Sequence, residues 1–141
     1  MSTSTTEYAV LLYSHRSSVI EQMRSAIGDE PAEGVAIEYA VAGDYDEAIA
    51  LIDRYEIDLV LLDGEAQPAG GLGIARQIRD EIDDPPTLAV VVARAADRWL
   101  AAWSRADAVL THPLNPVTTG KTVVDLLVER RSAAVPAQRA A

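Results

Sequence analysis

Cysteine is absent from the 141 residues. Its absence excludes a disulfide framework, thiol catalysis and zinc sites built on thiolates. Basic residues are scarce: 12 Lys and Arg stand against 22 Asp and Glu, for a net charge of −10. A surface that acidic repels nucleic acid and anionic lipid, so neither is an expected partner. No apolar run approaches the ~18 residues of a membrane span, so membrane insertion is not expected. Residues 1–7 also lack the basic-then-apolar pattern of a secretory leader. A cytoplasmic protein is the simplest expectation. What the chain does have is apolar content, at 49%, enough for one core. Its length suits one domain of about 100–150 residues.

The apolar spacing predicts alternating strands and helices. Residues 8–13, 35–40, 57–62, 87–93 and 108–110 are short apolar runs bounded by polar or turn residues, which read as buried strands. Between them, Val19, Ile20, Met23, Ala26 and Ile27 recur at helical spacing. Hydroxyls near Ser14, Ser17 and Ser18 are candidates for the helix cap, and Gly28 for the stop. Further helices are predicted from Gly43-Asp44, over 72–81, over 97–105 and over 117–130. Residues 65–71 form a loop. Residues 1–7 are expected to be disordered, and residues 131–141, which show no apolar face, a flexible tail.

Strands that are apolar throughout are buried on both faces, as in a parallel sheet. Right-handed crossovers then give an α/β doubly wound, flavodoxin-like sheet of five strands in the order 2-1-3-4-5. The functional crevice of such a sheet lies beyond the carboxyl ends of its strands. Ser14 and His15 follow the first strand, Asp63 ends the third, Ala93 the fourth and His112 the fifth.

Three stretches carry a resemblance. They are Asp58-Leu-Val-Leu-Leu-Asp63, then Gly71-Leu72 beyond a Pro-containing loop, then Ala106-Asp107-Ala-Val-Leu-Thr-His112-Pro113. Together they resemble the receiver domain of two-component response regulators, a CheY-like single-domain form, over residues 8–130. The resemblance implies a non-enzymatic module of phosphorelay signal transduction, with Asp63 as phosphoacceptor. It also implies a histidine kinase as partner and a cis peptide before Pro113. Receivers hold Mg²⁺ with an acid pair after strand one, and they bind the phosphoryl group with a Ser or Thr and a Lys. Here those positions fall on Ser14, His15, Ala93 and His112, so the chain resembles an atypical, or pseudo-, receiver.

The chemistry follows from the residue types. Mg²⁺ wants hard oxygen ligands, and one carboxylate beside two imidazoles is a poor site for it. Weak or absent Mg²⁺ binding is therefore expected, with no other cofactor. Phosphoryl transfer to a carboxylate depends on cation charge to stabilise developing negative charge. Ala93 has no hydroxyl, and His112 is a cation only when protonated. Asp63 is then either a phosphoacceptor or a carboxylate that closes the strand end through hydrogen bonds to backbone N–H groups or His112. A further alternative brings His15, Asp63 and His112 together as a ligand set for Zn²⁺ or Fe²⁺.

Trp99 and Trp103 are four residues apart and share one face of the short helix predicted over 97–105. They are either core residues or an interaction hot spot. Receivers bind partners or dimerise through the face of their fourth helix, fifth strand and fifth helix, and the family's switch aromatic falls on Val109. A protein partner, or a second copy of the chain, is therefore expected at Trp99, Trp103 and Val109. The stretches 62–71 and 99–106 also resemble a stand-alone actinobacterial subgroup associated with respiratory NADH dehydrogenase, which implies docking to that complex.

Overall fold

The computed structural model describes residues 5–64, 71–94, 99 and 104–140. Strands β1 (Thr6–Tyr13), β2 (Val35–Ala42), β3 (Leu59–Asp63), β4 (Thr87–Val92) and β5 (Ala108–Thr111) form one parallel sheet in the order 2-1-3-4-5. Helices α1 (Ser17–Ile27), α2 (Tyr45–Arg54), α3 (Gly71–Glu81) and α4 (Pro116–Ala140) accompany it. The flavodoxin-like order predicted from the apolar runs is the observed one.

Alternation along the strands divides the core into two layers. Val10, Leu12, Leu59, Leu61, Ala89 and Val91 point to one face, where they meet α1 and α4 through Met23, Val123 and Leu127. Leu11, Tyr13, Val60, Leu62, Leu88 and Val90 point to the other, where they meet α2 and α3 through Ala48, Ile74 and Ile78. Each of these large aliphatic side chains contributes roughly 1.5–3 kcal/mol by leaving water. This is why β3 carries no polar residue until Asp63.

The helix ends follow local chemistry, with one departure. Gly28 ends α1 at a φ of 80°, a conformation that favours glycine, and its N–H reaches the Arg24 carbonyl. Asp44 caps α2 by accepting from the Glu47 N–H at 2.8 Å. The N-cap of α1 is Arg16, with no side-chain cap bond. The Ser14 hydroxyl instead accepts from the Arg16 N–H at 3.1 Å and is turned toward the strand ends.

At both chain ends the elements run past the strand and helix bounds read from the apolar pattern. Thr6 and Glu7 belong to β1, paired with Val35 and Ala36, and the Thr6 N–H donates to the Gly34 carbonyl at 2.8 Å. Backbone pairing orders this stretch where its side chains give no signal. The last helix runs on to Ala140 where a tail from 131 was expected. Arg131 anchors the start of this extension by a two-pronged bond to Asp58. The loop over 65–70 and most of the helix predicted over 97–105 lie outside the described residues.

One half-buried phenol makes the fold sensitive to alkali. Tyr39 on β2 donates its hydroxyl to the Gly28 carbonyl at 2.5 Å, beneath the Arg24 guanidinium. Burial, then the Asp29 carboxylate, push its pKa up to about 12 against the opposing Arg24 charge. The folded value lies above the unfolded value of about 10. Its contribution is therefore fully present below pH ~10 and is lost as pH rises toward ~12. Tyr39→Phe is expected to cost about 1 kcal/mol at neutral pH and to flatten the loss of stability between pH 10 and 12. Urea denaturation across that range measures both effects.

Candidate functional site

The carboxyl ends of β1, β3, β4 and β5 meet at one edge of the sheet, and Asp63 sits there fully buried. A carboxylate out of water needs charge and hydrogen-bond partners. The Ser14 hydroxyl, itself buried, donates to Asp63 Oδ2 at 2.8 Å. Arg16 Nη2 donates to the same oxygen at 3.2 Å, forming an ion pair. Because the Arg16 N–H also donates to Ser14 Oγ, the three residues form a closed network. The Arg16 side chain is 47% exposed and the Asp63 side chain 0%, so the pair reaches from the interior to solvent.

The backbone beside Asp63 is tightly fixed. The Gly64 N–H donates to the Val91 carbonyl at 2.8 Å. A Cβ at position 64 would lie 2.7 Å from that carbonyl oxygen, closer than a methyl carbon can approach. Glycine is thus required by the close approach of two strand ends.

The predicted site residues divide. Ser14 and Asp63 are brought together. Ala93 is exposed at the end of β4. His112 is partly buried after β5, where its N–H donates to the Val92 carbonyl and its peptide to Pro113 is cis. His15 is exposed. The alternative ligand set of His15, Asp63 and His112 does not form, since no group of three metal-ligating side chains is found among the described residues. Val109 is partly buried against the layer of Leu88 and Val90. Trp99 is 68% exposed, and Trp103 lies outside the described residues.

Arg16 is the residue that the sequence reading missed. Its signal was available: with no acid at positions 14 and 15, a buried Asp63 demands a cation, and Arg16 is the nearest base following strand one. The same residue decides the fit to Mg²⁺. Receiver chemistry places the ion against the strand-three carboxylate with help from neighbouring acids. Here a guanidinium, which has no lone pair to offer a cation and carries a positive charge of its own, already occupies Asp63 Oδ2 beside the Ser14 hydroxyl. The residues present do not fit the ion.

A parallel sheet in the order 2-1-3-4-5 with a buried Asp closing β3 is the frame of a receiver-type domain. No family model matches the chain. The chain belongs to the response-regulator family. It is 39% identical over 128 residues to an "uncharacterized response regulatory protein" of Mycobacterium tuberculosis, represented in strains CDC 1551 / Oshkosh and ATCC 25618 / H37Rv, with 90% of this chain and 96% of the relative covered. The fold is similar to a CheY-like response regulator receiver domain protein from Methanospirillum hungatei JF-1, with a TM-score of 0.70, 17% identity, and coverage of 91% of this chain and 99% of that one. It is also similar to the chemotaxis response regulator CheY4 of Vibrio cholerae, with a TM-score of 0.68, 20% identity, and coverage of 86% and 99%. The chain is therefore a response-regulator receiver domain of signal transduction. Among the described residues, no helix is long and apolar enough to cross a membrane.

Proposed function

We propose that this is an atypical receiver, a pseudo-receiver, that signals in the cytoplasm by protein–protein interaction without phosphorylation of Asp63. The observation that carries this reading is the closed network at Asp63. Arg16 and Ser14 both donate to Asp63 Oδ2, and the positions that serve phosphate in receivers are Ala93 and His112. A nucleophilic carboxylate held by a guanidinium and a hydroxyl is a poor acceptor without a metal to neutralise the incoming phosphoryl group. The domain then acts as a binding scaffold and not as an enzyme. Trp99, a large exposed aromatic, is the anchor this reading assigns to the partner face. The resemblance supplies the candidate partners: a histidine kinase, a larger complex such as respiratory NADH dehydrogenase, or a second copy of the chain.

The test has two arms. With millimolar Mg²⁺ and acetyl phosphate or beryllofluoride, the protein is expected to show no mass adduct and no change in Trp fluorescence. A stoichiometric adduct on Asp63 overturns the reading. In affinity capture, Trp99→Ala is expected to lose the protein that the wild type retains, whereas Asp63→Asn keeps it. The reverse pattern makes the carboxylate the signalling residue.

A further inference from the structure

Beside the Asp63 network, a cleft of about 920 Å³ opens between α1 and the turn joining β5 to α4. Arg16, Ser18, Gln22 and His112 supply its polar wall. Among the described residues that line it, none is acidic, in a chain with 22 acidic residues against 12 basic ones. A wall with only basic and neutral polar groups is a local reversal of the molecule's sign. It makes this cleft the place where an anion would meet favourable potential.

The donors in the cleft are not used up by the fold. A guanidinium carries five N–H donors in a planar fork, and the Asp63 contact occupies one, at Nη2. Arg16 is half-exposed, so the remaining donors reach solvent on the cleft side. Among the described residues, none bonds the His112 ring. Ala93 brings no side-chain hydroxyl to the wall, and Val19, Pro113 and Leu114 line the cleft with it. The volume lies within the range of small-molecule sites, roughly 300–1,000 Å³. Two donors beside apolar walls suit a molecule with an anionic head and an apolar body.

We propose that the cleft between α1 and the β5–α4 turn binds a small organic anion, a phosphate monoester or carboxylate, through Arg16 and His112. The head group sits against the guanidinium on the side away from Asp63, and the body lies along Val19 and Leu114. The site needs neither a metal nor phosphorylation, so it stands apart from the scaffold reading. Asp63 and the ligand share Arg16, and the Asp63 charge weakens its hold on the anion.

The test is an NMR titration of the full chain in EDTA, following backbone amides with phenyl phosphate, benzoate and inorganic phosphate as probes. Phenyl phosphate or benzoate is expected to shift the amides of Arg16, Ser18, Ala93 and His112 saturably, and to bind about tenfold tighter than inorganic phosphate because the body also makes contact. Arg16→Gln is expected to weaken binding about tenfold. His112→Gln, at a partly exposed position, gives the same direction without disturbing Asp63. Asp63→Asn is expected to tighten binding several-fold by freeing Arg16. Absence of saturable shifts, shifts centred on other basic residues, or wild-type affinity in both the Arg16 and His112 variants overturns the proposal. Tighter binding by an acidic peptide than by phenyl phosphate also overturns it, making the cleft a protein-docking surface. Because EDTA removes Mg²⁺, failure here leaves the outcome of the beryllofluoride experiment independent.

Discussion

Asp58→Ala is expected to lower the free energy of unfolding by about 3 kcal/mol, the larger of the two effects argued here. Asp58 lies just before β3, at the opposite end of the sheet from Asp63, with its side chain 11% exposed. One oxygen accepts from the Ala9 N–H at 2.9 Å and from Arg131 Nη2 at 3.1 Å, and the other from Arg131 Nε at 3.2 Å. Arg131 Nη2 also donates to the Glu7 carbonyl at 2.8 Å, and its guanidinium lies 4.3 Å from the centre of the Tyr8 ring. One carboxylate therefore ties β1, β3 and the last helix together. Removing it strands the Ala9 N–H and leaves the guanidinium without its fork. Arg131→Ala is milder, at about 1–2 kcal/mol, because Arg131 is 45% exposed and solvent screens the pair. Hydrogen bonding to Asp58 pushes the Arg131 pKa up still further, so the guanidinium is charged at every accessible pH. The lock should hold across the neutral range. A thermal melt checks the ranking: Asp58→Ala falls by about 10 °C, roughly twice the fall of Arg131→Ala. Equal losses would mean that the Ala9 bond contributes nothing.

This clamp also explains what the sequence left unreadable. The sheet was legible because its strands are apolar runs of strand length and α1 places Val19, Ile20, Met23 and Ile27 at one spacing. Asp63 was legible because it is the lone charge at the end of Leu59–Asp63, a strand buried along its whole length. Element ends were less legible where pairing comes from long-range bonds. Residues past 130 show no apolar face, and their anchor is a carboxylate far away in the chain. Thr6 carries no strand signal and is ordered by pairing with Val35. The capping expectation for α1 failed for a related reason. A serine before a helix can turn to the backbone or to a buried charge, and only the fold brings Asp63 within reach of Ser14. Arg16 escaped notice because a loop arginine in an acidic chain reads as solvated surface until a buried carboxylate is found 3.2 Å away.

That contact fixes the sign of the second effect. Asp63→Ala is expected to destabilise the domain by about 2–3 kcal/mol, through loss of a charge-assisted bond from Arg16 and a bond from Ser14. The direction discriminates between two electrostatic designs. A cluster of carboxylates waiting for a metal is self-repelling, so deleting one member relieves strain and raises the melting temperature. A buried carboxylate paired with a guanidinium is held by attraction, so its deletion loses bonds and leaves a gap. Arg16→Ala should also destabilise, by about 1–2 kcal/mol, since Asp63 stays buried while its cation leaves. The double variant Asp63→Ala/Arg16→Ala should cost less than the sum of the two single changes, with a coupling of about 1 kcal/mol. Urea denaturation of the four proteins at low ionic strength without Mg²⁺ measures the cycle. An Asp63→Ala protein more stable than wild type would mean that acidic neighbours, and not Arg16, set the charge balance at the strand ends. The internal neutralisation on which phosphorylation-independent signalling rests would then be lost.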